Sequence, residues 1–287
     1  MKITFIGLGI MGSRMAQNLL KNGIDLTVAN RSSEPVETLV ADGASSANSY
    51  AEAVREADIV FSMLSTPEVV ESVFLGEGDA LNSMQKGSIW VDCSTVNPSF
   101  SQKMASISAN HGIRFVDAPV AGTKPHAAMA ELVFFAGGDK ADLAQIDPFL
   151  QHMGKKVMHV GEAGKGATFK MLVNSLLAQS MLVFAETLKF GEKMGLDKDF
   201  LLDTLPNLVV SAPFTKFKAE MIRADNYEVQ FPLEWMQKDL HLATSTAYEV
   251  GQTLYMANVA KELYNSAKNQ GLGREDFSAI YKVFNQI

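Results

Sequence analysis

The stretch Ile3-Thr4-Phe5-Ile6-Gly7-Leu8-Gly9-Ile10-Met11-Gly12 joins a short apolar run to the helix-forming series Ser13–Leu20. Its glycines have the spacing G-x-G-x-x-G, in the strand–turn–helix context that this motif requires. The first glycine permits a tight turn, the second lets the backbone approach a pyrophosphate, and the third allows close packing of helix on strand. The helix N-terminus adds partial positive charge beside the phosphates. We therefore expect this loop to bind a dinucleotide, through Gly7, Leu8, Gly9, Ile10, Met11 and Gly12.

The end of the second predicted strand indicates which dinucleotide is bound. The sequence there is Asn30-Arg31-Ser32-Ser33, with no carboxylate at the place where an NAD site usually offers Asp or Glu to the ribose hydroxyls. An arginine followed by hydroxyls suits a 2′-phosphate, because it can make charge-assisted hydrogen bonds to it. The sequence thus predicts NADP in preference to NAD, with Asn30, Arg31 and Ser32 at the cofactor. A solvated loop position is the alternative for Arg31.

Two more loops follow predicted strands, one at Met63-Leu64 and one at Ser94-Thr95. Ligands of open α/β sheets bind at the carboxyl ends of the strands, so we expect Met63, Leu64 and Thr95 to border the nicotinamide half of the cofactor. The alternative is that the Ser and Thr residues of these loops are helix caps, since Ser or Thr before a helix is common.

The first half of the chain alternates short apolar runs with helical stretches, which predicts a parallel sheet covered on both faces. After Gly161 the pattern changes. Residues 165–193 contain no proline and predict one long helix, whose apolar residues surround the cylinder and should be buried on several sides. The remainder, residues 197–287, has helical patterns only. The predicted strands are Ile3–Ile6, Leu26–Ala29, Asp58–Met63, Ser88–Asp92, Arg114–Asp117, Leu132–Ala136 and Lys156–Val160.

These patterns predict an α/β Rossmann-type dinucleotide-binding domain over residues 1–162. An all-α C-terminal domain follows over residues 163–287, joined to the first by a long interdomain helix.

Composition and charge restrict the partners of the protein. A net charge of −7 argues against binding to nucleic acid, which needs clustered Lys and Arg, and leaves a small molecule as the expected partner. Cys93 is the one cysteine, which excludes an intramolecular disulfide, and the five histidines lack metal-binding spacing, so no metal site is predicted. The N-terminus has no leader pattern, and no uninterrupted apolar run is long enough to span a membrane. We expect a cytoplasmic protein that does not bind a membrane.

Three residues on the predicted long helix form the candidate catalytic group. Gly166, Lys170 and Asn174 are four residues apart and therefore share one face. Hydride addition to a carbonyl leaves an alkoxide that a positioned acid must protonate. Burial lowers the pKa of a lysine toward the useful range, and an adjacent amide can hold the substrate oxygen or orient the ammonium. A lysine whose head group reaches solvent is the alternative.

Four motifs in this order resemble the β-hydroxyacid dehydrogenase family. They are the glycine loop, Asp117-Ala118-Pro119-Val120-Ala121-Gly122, Gly166-x-x-x-Lys170-x-x-x-Asn174 and Lys238-Asp239-Leu240. The resemblance is strongest to the glyoxylate and succinic semialdehyde reductases, with the 3-hydroxyisobutyrate dehydrogenases next. It implies NADPH-dependent reduction of a small aldehyde acid to the hydroxy acid, or the reverse oxidation of a 3-hydroxy acid, with Lys170 as general acid/base and Asn174 beside it.

The resemblance also implies further site residues and an assembly. Thr95 and Lys238 are expected near the cofactor, and a homodimer or homotetramer is expected to form through the long helix. The residues implied at the substrate are Thr95, Ala121, Gly122, Thr123, Lys170, Asn174, Phe231 and Asp239.

One segment departs from the family pattern. The substrate loop usually carries Ser-Gly after Asp-Ala-Pro-Val, whereas this chain has Ala121-Gly122-Thr123 and lacks the hydroxyl expected to bind the substrate carboxylate. Backbone N–H groups of Gly122 and Thr123, or the Thr123 hydroxyl, could replace it, and Lys124 and His126 could supply charge.

Two alternatives for the function remain open. One is a different reaction on the same scaffold, such as imine reduction or the oxidation of a larger sugar acid. The other is a catalytically silent NADPH-binding protein. Imine reductases of similar fold carry another residue in place of Lys170, and a silent protein is expected to lose Lys170 or Asn174, whereas this chain has both.

Overall fold

A nine-stranded sheet forms the centre of the first part of the molecule, in a computed structural model that describes residues 1–285. The strands are β1 (Ile3–Ile6), β2 (Leu26–Ala29), β3 (Ser45–Ser46), β4 (Ile59–Ser62), β5 (Ile89–Asp92), β6 (Arg114–Asp117), β7 (Val120–Ala121), β8 (Leu132–Gly137) and β9 (Gly154–Gly161). Helices follow most of them: α1 (Gly12–Lys21), α2 (Ser33–Ala41), α3 (Tyr50–Val54), α4 (Pro67–Phe74), α5 (Ala80–Ser83), α6 (Pro98–Asn110), α7 (Lys124–Ala128) and α8 (Lys140–Met153).

The strand order places the loop after β1 at the point where the order of the strands reverses. The order is β3-β2-β1-β4-β5-β6-β8-β7, with β9 paired to β8, and β1 lies between β2 and β4 in parallel register. From β1 the strand order runs outward on both sides, through β2 to β3 on one side and through β4 to β5 on the other. The loop after β1 therefore lies at the topological switch point, where open α/β sheets bind ligands. β1, β4 and β5 are buried along their whole length, which explains why three of the four residues in each strand are apolar.

The prediction of a parallel sheet is right for most of the sheet and wrong at one edge. β1, β2, β4, β5 and β6 pair in parallel, and so do β8 and β9, but β8 runs antiparallel to β6 and β7. The connection between β6 and β8 holds only β7 and the five-residue α7, so it does not form the usual crossover to a parallel neighbour. β3 and β7 were not predicted, because two residues are too few to show a periodicity.

A bundle of helices forms the second part of the molecule. It contains α10 (Lys198–Thr204), α11 (Thr215–Arg223), α12 (Leu233–Glu249) and α13 (Tyr255–Asn269), with short 3₁₀ turns at Leu205–Asn207, Leu272–Arg274 and Phe277–Asn285. In residues 171–285 the structure shows no strand, only an isolated bridge between Pro232 and Asp276. The prediction of helices alone after residue 197 is therefore correct for the described residues.

The chain divides after Lys170 into two compact units, Met1–Lys170 and Met171–Ile287. The first unit has an apolar core on each face of the sheet, and the second has a core of its own around residues such as Leu188, Leu233 and Tyr264. The boundary predicted after residue 162 stays a prediction.

Helix α9 (Lys165–Lys193) has the range that the sequence predicts, but not the predicted burial. Leu172, Leu176, Val183 and Phe190 are all more than half exposed. At about 100° per residue these four side chains lie within one narrow stripe, so α9 has one open apolar face. By length and composition α9 is also the one described helix long and apolar enough to cross a membrane, a test that the core helix of a soluble protein passes too.

Candidate active site

The glycine loop between β1 and α1 has the close contacts that its spacing predicts. Gly7 has φ +94°, and a Cβ on it would lie 2.4 Å from the carbonyl oxygen of Met63. A Cβ on Gly12 would lie 1.9 Å from the carbonyl oxygen of Gly7, so the start of α1 packs directly on the turn. Gly9, in contrast, faces open space, with no atom within 4 Å of the place its Cβ would take. The loop thus has room for a ligand at its middle glycine.

The loop after β2 is hydrogen-bonded to the glycine loop. The side chain of Asn30 accepts from the backbone N–H of Leu8 at 3.0 Å, and its amide nitrogen donates to the carbonyl oxygen of Ser32 at 3.2 Å. Arg31 and Ser32 are exposed at this edge. Burial raises the pKa of Tyr50, and the positive charge of Arg31 partly offsets the rise. Asn30 therefore connects the loop after β2 to the glycine loop, while the positively charged side chain of Arg31 is exposed at the carboxyl end of β2.

Two loops at the carboxyl ends of β4 and β5 are also joined. The backbone N–H of Leu64 donates to Oγ of Ser94 at 2.9 Å, and the N–H of Ser94 donates to Oδ1 of Asp92 at 3.1 Å. Ser62 donates its hydroxyl to the same carboxylate oxygen at 2.8 Å. Thr95 follows Ser94 and is half-buried. Buried polar groups thus fix the edge that the sequence assigns to the nicotinamide half of a cofactor.

The predicted substrate loop is partly helical. Ala121 ends β7, Gly122 has φ +124°, and α7 begins at Lys124, so Lys124 and His126 belong to a helix and not to a loop. Nδ1 of His126 lies 3.2 Å from both the backbone nitrogen and the hydroxyl of Thr123. The Thr123 hydroxyl is therefore directed at its own helix, and half-buried Ala121 adds no polar group.

Lys170 lies in the second turn of α9 and is buried, with 7% of its surface exposed. A solvated lysine, the alternative left open by the sequence, is thus excluded. Four residues earlier, Gly166 lets the helix approach the sheet, because a Cβ there would lie 2.2 Å from the carbonyl oxygen of Phe135. The spacing of Gly166 and Lys170 therefore combines a close backbone approach with a buried amine on one helix face.

Asn174, in the second unit, is buried and paired with Asp239 of α12. Its Nδ2 donates to Oδ2 of Asp239 at 2.5 Å, while Nζ of Lys238 lies 2.8 Å from Oδ1 of the same carboxylate. A carboxylate only accepts hydrogen bonds, so the amide nitrogen must be the atom that faces Asp239. Oδ1 of Asn174 is buried and has no hydrogen-bond partner among the described residues. Asn174 is therefore oriented to offer an acceptor.

Phe231, which the resemblance places at the substrate, lies just ahead of α12, whereas Asp239 lies within this helix. The backbone N–H of Phe231 donates to Oδ2 of Asp276 at 3.2 Å. Sequence reasoning missed Asp276, because this carboxylate is 45 residues from Phe231 and no local pattern links the two residues.

Asp117 is the second residue that the sequence analysis missed. It opens one of the family motifs, but spacing shows nothing of its partners. Its two carboxylate oxygens accept from the backbone N–H groups of Gly164 and Ala167, each at 2.7 Å. The available signal was a carboxylate at the carboxyl end of a buried strand.

Known proteins resemble this chain over its whole length. A sequence model described as the NAD binding domain of 6-phosphogluconate dehydrogenase matches residues 2–161. A second, described as NAD-binding of NADP-dependent 3-hydroxyisobutyrate dehydrogenase, matches residues 164–284.

Curated relatives and solved structures agree with these matches. Glyoxylate/succinic semialdehyde reductase 2 of Arabidopsis thaliana is 38% identical over 98% of this chain and 78% of its own length. The 2-(hydroxymethyl)glutarate dehydrogenase of Eubacterium barkeri is 35% identical over 100% of this chain and 95% of its own. A structure of Mycobacterium tuberculosis 3-hydroxyisobutyrate dehydrogenase with L-serine matches with a TM-score of 0.89 and 29% identity, covering 98% of each chain.

The glycine loop, the sheet order and the motif on α9 thus occur together in one chain whose relatives are hydroxy acid dehydrogenases and aldehyde acid reductases. The open space at Gly9 and the close packing of Gly7 and Gly12 suit a nicotinamide dinucleotide. The protein belongs to the β-hydroxyacid dehydrogenase family and is an NAD(P)-dependent oxidoreductase acting on CH–OH groups.

Proposed function

We propose that the protein reduces a small aldehyde acid of the glyoxylate or succinic semialdehyde class to the hydroxy acid with NADPH, or catalyses the reverse oxidation of a 3-hydroxy acid. The observation that carries this proposal is the pair Lys170 and Asn174. Both side chains are buried, with 7% and 2% of their surface exposed, and they lie one turn apart on α9. The substrate class follows from the names of the relatives from Arabidopsis thaliana.

Lys170 is the proton donor in this proposal. A bound nicotinamide would supply the hydride for the carbonyl carbon, and Nζ of Lys170 donates the proton to the oxygen that is left with negative charge. In the reverse direction the neutral amine takes the proton from the substrate hydroxyl. Asn174 assists as an acceptor, since Asp239 holds its amide nitrogen, so its Oδ1 can receive a hydrogen bond from an ammonium or a hydroxyl.

The cofactor residues follow from the edge of the sheet. The glycine loop from Gly7 to Gly12 holds the pyrophosphate, Asn30 keeps that loop in place, and Arg31 with Ser32 binds the 2′-phosphate. We assign most of the cofactor contacts to residues 1–162, and assembly and much of the substrate site to residues 163–287. Met63, Leu64, Thr95 and Lys238 complete the proposed cofactor contacts.

The substrate carboxylate has a different partner from the one usual in the family. Ala121 offers no hydroxyl, and both the hydroxyl and the backbone N–H of Thr123 face Nδ1 of His126, so we assign the carboxylate to the backbone N–H of Gly122. Phe231 and Asp239 are assigned to the rest of the substrate.

We also propose a homo-oligomer, a dimer or tetramer, that covers the open apolar face of α9. Four large apolar side chains in one stripe, from Leu172 to Phe190, are more than a single solvated helix usually exposes.

The test is turnover of NADPH with glyoxylate, succinic semialdehyde and related aldehyde acids, each repeated with NADH. Lys170→Ala should lower turnover by at least ~100-fold, because it removes the general acid, and should leave NADPH binding within about twofold of the wild type. Lys165→Ala is the matched control, since Lys165 is an exposed lysine in the first turn of the same helix.

Each outcome bears on a different part of the proposal. Turnover that prefers NADPH and disappears in Lys170→Ala, but not in Lys165→Ala, supports it. Wild-type turnover in Lys170→Ala would exclude the proposed role of that lysine. No turnover of any aldehyde acid, despite tight NADPH binding, would exclude the substrate class.

A further inference from the structure

Asp117 is a buried carboxylate that the proposed chemistry does not use. It lies at the end of β6 with 1% of its surface exposed. Oδ1 accepts from the backbone N–H of Gly164 and Oδ2 from that of Ala167, both at 2.7 Å. The first N–H groups of a helix have no partner within the helix, so Asp117 caps the start of α9 from a neighbouring strand.

The backbone of two neighbouring glycines, Gly137 and Gly166, approaches the Asp117 carboxylate closely and restricts its position. A Cβ on Gly166 would lie 2.9 Å from Oδ2 of Asp117, and a Cβ on Gly137 would lie 2.5 Å from Oδ1. Both neighbours therefore have to be glycine for the carboxylate to fit between β8 and the helix. The first turn of α9 is thus held by two charge-assisted hydrogen bonds and by direct backbone packing.

We propose that Asp117 is a positioning residue for Lys170, acting through the first turn of α9. Lys170 comes three residues after Ala167 on the same helix. The hydrogen bonds from Asp117 hold the first turn of α9 in place, and the direction of the Lys170 side chain depends on the position of that turn. Catalytic groups have to be held within a fraction of an ångström of the productive geometry. This inference rests on the proposed role of Lys170 as general acid.

The charges around Asp117 give the proposal a pH dependence. Burial, and to a smaller extent the charge of Asp92 on the adjacent strand β5, raise the pKa of Asp117 to about 6, against the backbone hydrogen bonds from Gly164, Ala167 and Asp117 itself. The facing residue on β8 is Gly137, which is uncharged, and the charged residues in the first two turns of α9 are Lys165 and Lys170.

Protonation of Asp117 weakens the cap, because one carboxylate oxygen becomes a hydroxyl that faces an N–H donor. The kcat for aldehyde reduction should therefore fall as the pH drops through about 6. Titration of Lys170 itself cannot cause this loss, since the ammonium form, which donates the proton, is retained at low pH. An acid limb in the reductive direction thus points to Asp117.

The first experiment compares Asp117→Asn with the wild type between pH 5 and 8. Asn keeps the size of the side chain but not its two anionic acceptors. We expect kcat at neutral pH to fall at least ~10-fold, NADPH affinity to stay within about twofold, and the acid limb to disappear. Asp139→Asn is the matched control, because Asp139 accepts from the N–H of Ala141 at 2.7 Å and caps α8, which carries no proposed catalytic residue.

The second experiment measures amide hydrogen exchange over residues 164–167 and does not depend on turnover. Loss of the cap should speed exchange of the Gly164 and Ala167 amides by about tenfold in Asp117→Asn, and not in Asp139→Asn. In the wild type the same amides should lose protection below pH 6, after correction for intrinsic rates, which tests the cap even if the variant does not fold.

The outcomes separate this inference from the proposed function. Unchanged exchange at Gly164 and Ala167, or an Asp117→Asn enzyme with wild-type kcat and an intact acid limb, would overturn the positioning role. Wild-type turnover in Lys170→Ala would instead overturn the proposed function, while faster exchange in Asp117→Asn would still show that the cap exists.

Discussion

In the proposed function, Arg31 is the residue that distinguishes NADPH from NADH. It is exposed at the carboxyl end of β2, where no carboxylate is present to bind ribose hydroxyls. Arg31→Ala should weaken NADPH binding by ~10–100-fold, because a hydrogen bond to a charged group contributes about 1.5–3 kcal/mol. NADH affinity should change little, since NADH lacks the 2′-phosphate.

Titration of each cofactor against the apo protein, followed by fluorescence, measures both affinities. Arg55→Ala is the control, because Arg55 is an exposed arginine of the same unit that lies away from the glycine loop. Equal weakening of NADPH and NADH in Arg31→Ala would contradict the assignment of Arg31 to the 2′-phosphate.

The sequence position of Asn174 does not decide whether its side-chain amide donates or accepts a hydrogen bond at the candidate site. Its spacing from Lys170 predicts a shared helix face, and an amide there could either donate or accept. The choice depends on Asp239, which lies 65 residues further along the chain and takes the amide nitrogen. Only the packing of α12 against α9 reveals this, because no local pattern links the two residues.

At the scale of elements, a buried ion pair between Lys218 and Asp276 anchors the segment that precedes α12. Nζ of Lys218 on α11 lies 2.8 Å from Oδ1 of Asp276, and these side chains are 4% and 0% exposed. Oδ2 of Asp276 accepts from the backbone N–H groups of Gln230 and Phe231. Asp276 thus joins α11 to the chain that carries Phe231.

Asp276→Asn should lower the free energy of unfolding by about 3–5 kcal/mol, because it leaves the buried ammonium of Lys218 without its counter-charge. Glu275→Gln is the matched control, since Glu275 pairs with Lys282 at 2.7 Å but both side chains are about a third exposed, and such pairs contribute at most ~1 kcal/mol. Urea unfolding followed by circular dichroism compares the two variants. A loss in Asp276→Asn no larger than in Glu275→Gln would contradict a stabilising role.

The elements themselves were predictable where their patterns are long. The glycine loop follows from its spacing, and the seven strands and the range of α9 follow from the apolar pattern, with small differences at the strand ends. β3 and β7 were missed because two residues carry no period. The antiparallel placement of β8 depends on the short connection through β7 and α7, which the sequence shows only as a loop.

At the scale of the whole molecule, the open face of α9 predicts assembly. Leu176→Glu and Val183→Glu together should convert the proposed dimer or tetramer into a species of lower mass, because two charges would have to be buried in an apolar contact. Both side chains are more than half exposed in the single chain, so the substitutions should leave its fold intact. Light scattering coupled to size exclusion gives the mass.

Val40→Glu is the control for that measurement, since Val40 is an exposed apolar residue on α2 of the other unit. A monomeric wild type would contradict the proposed assembly. An unchanged mass in the double variant would place the contact between subunits elsewhere on the surface.

The sequence by itself determined the glycine loop, the order of an α/β part followed by a helical part, and the spacing of Lys170 and Asn174, because each of these depends on residues close together in the chain. Only the tertiary structure decided what surrounds them. The cap from Asp117, the orientation of Asn174 and the anchor at Asp276 each join groups more than forty residues apart. Hydrogen bonds of this kind depend on how strands and helices pack, and packing leaves no periodic trace in the sequence.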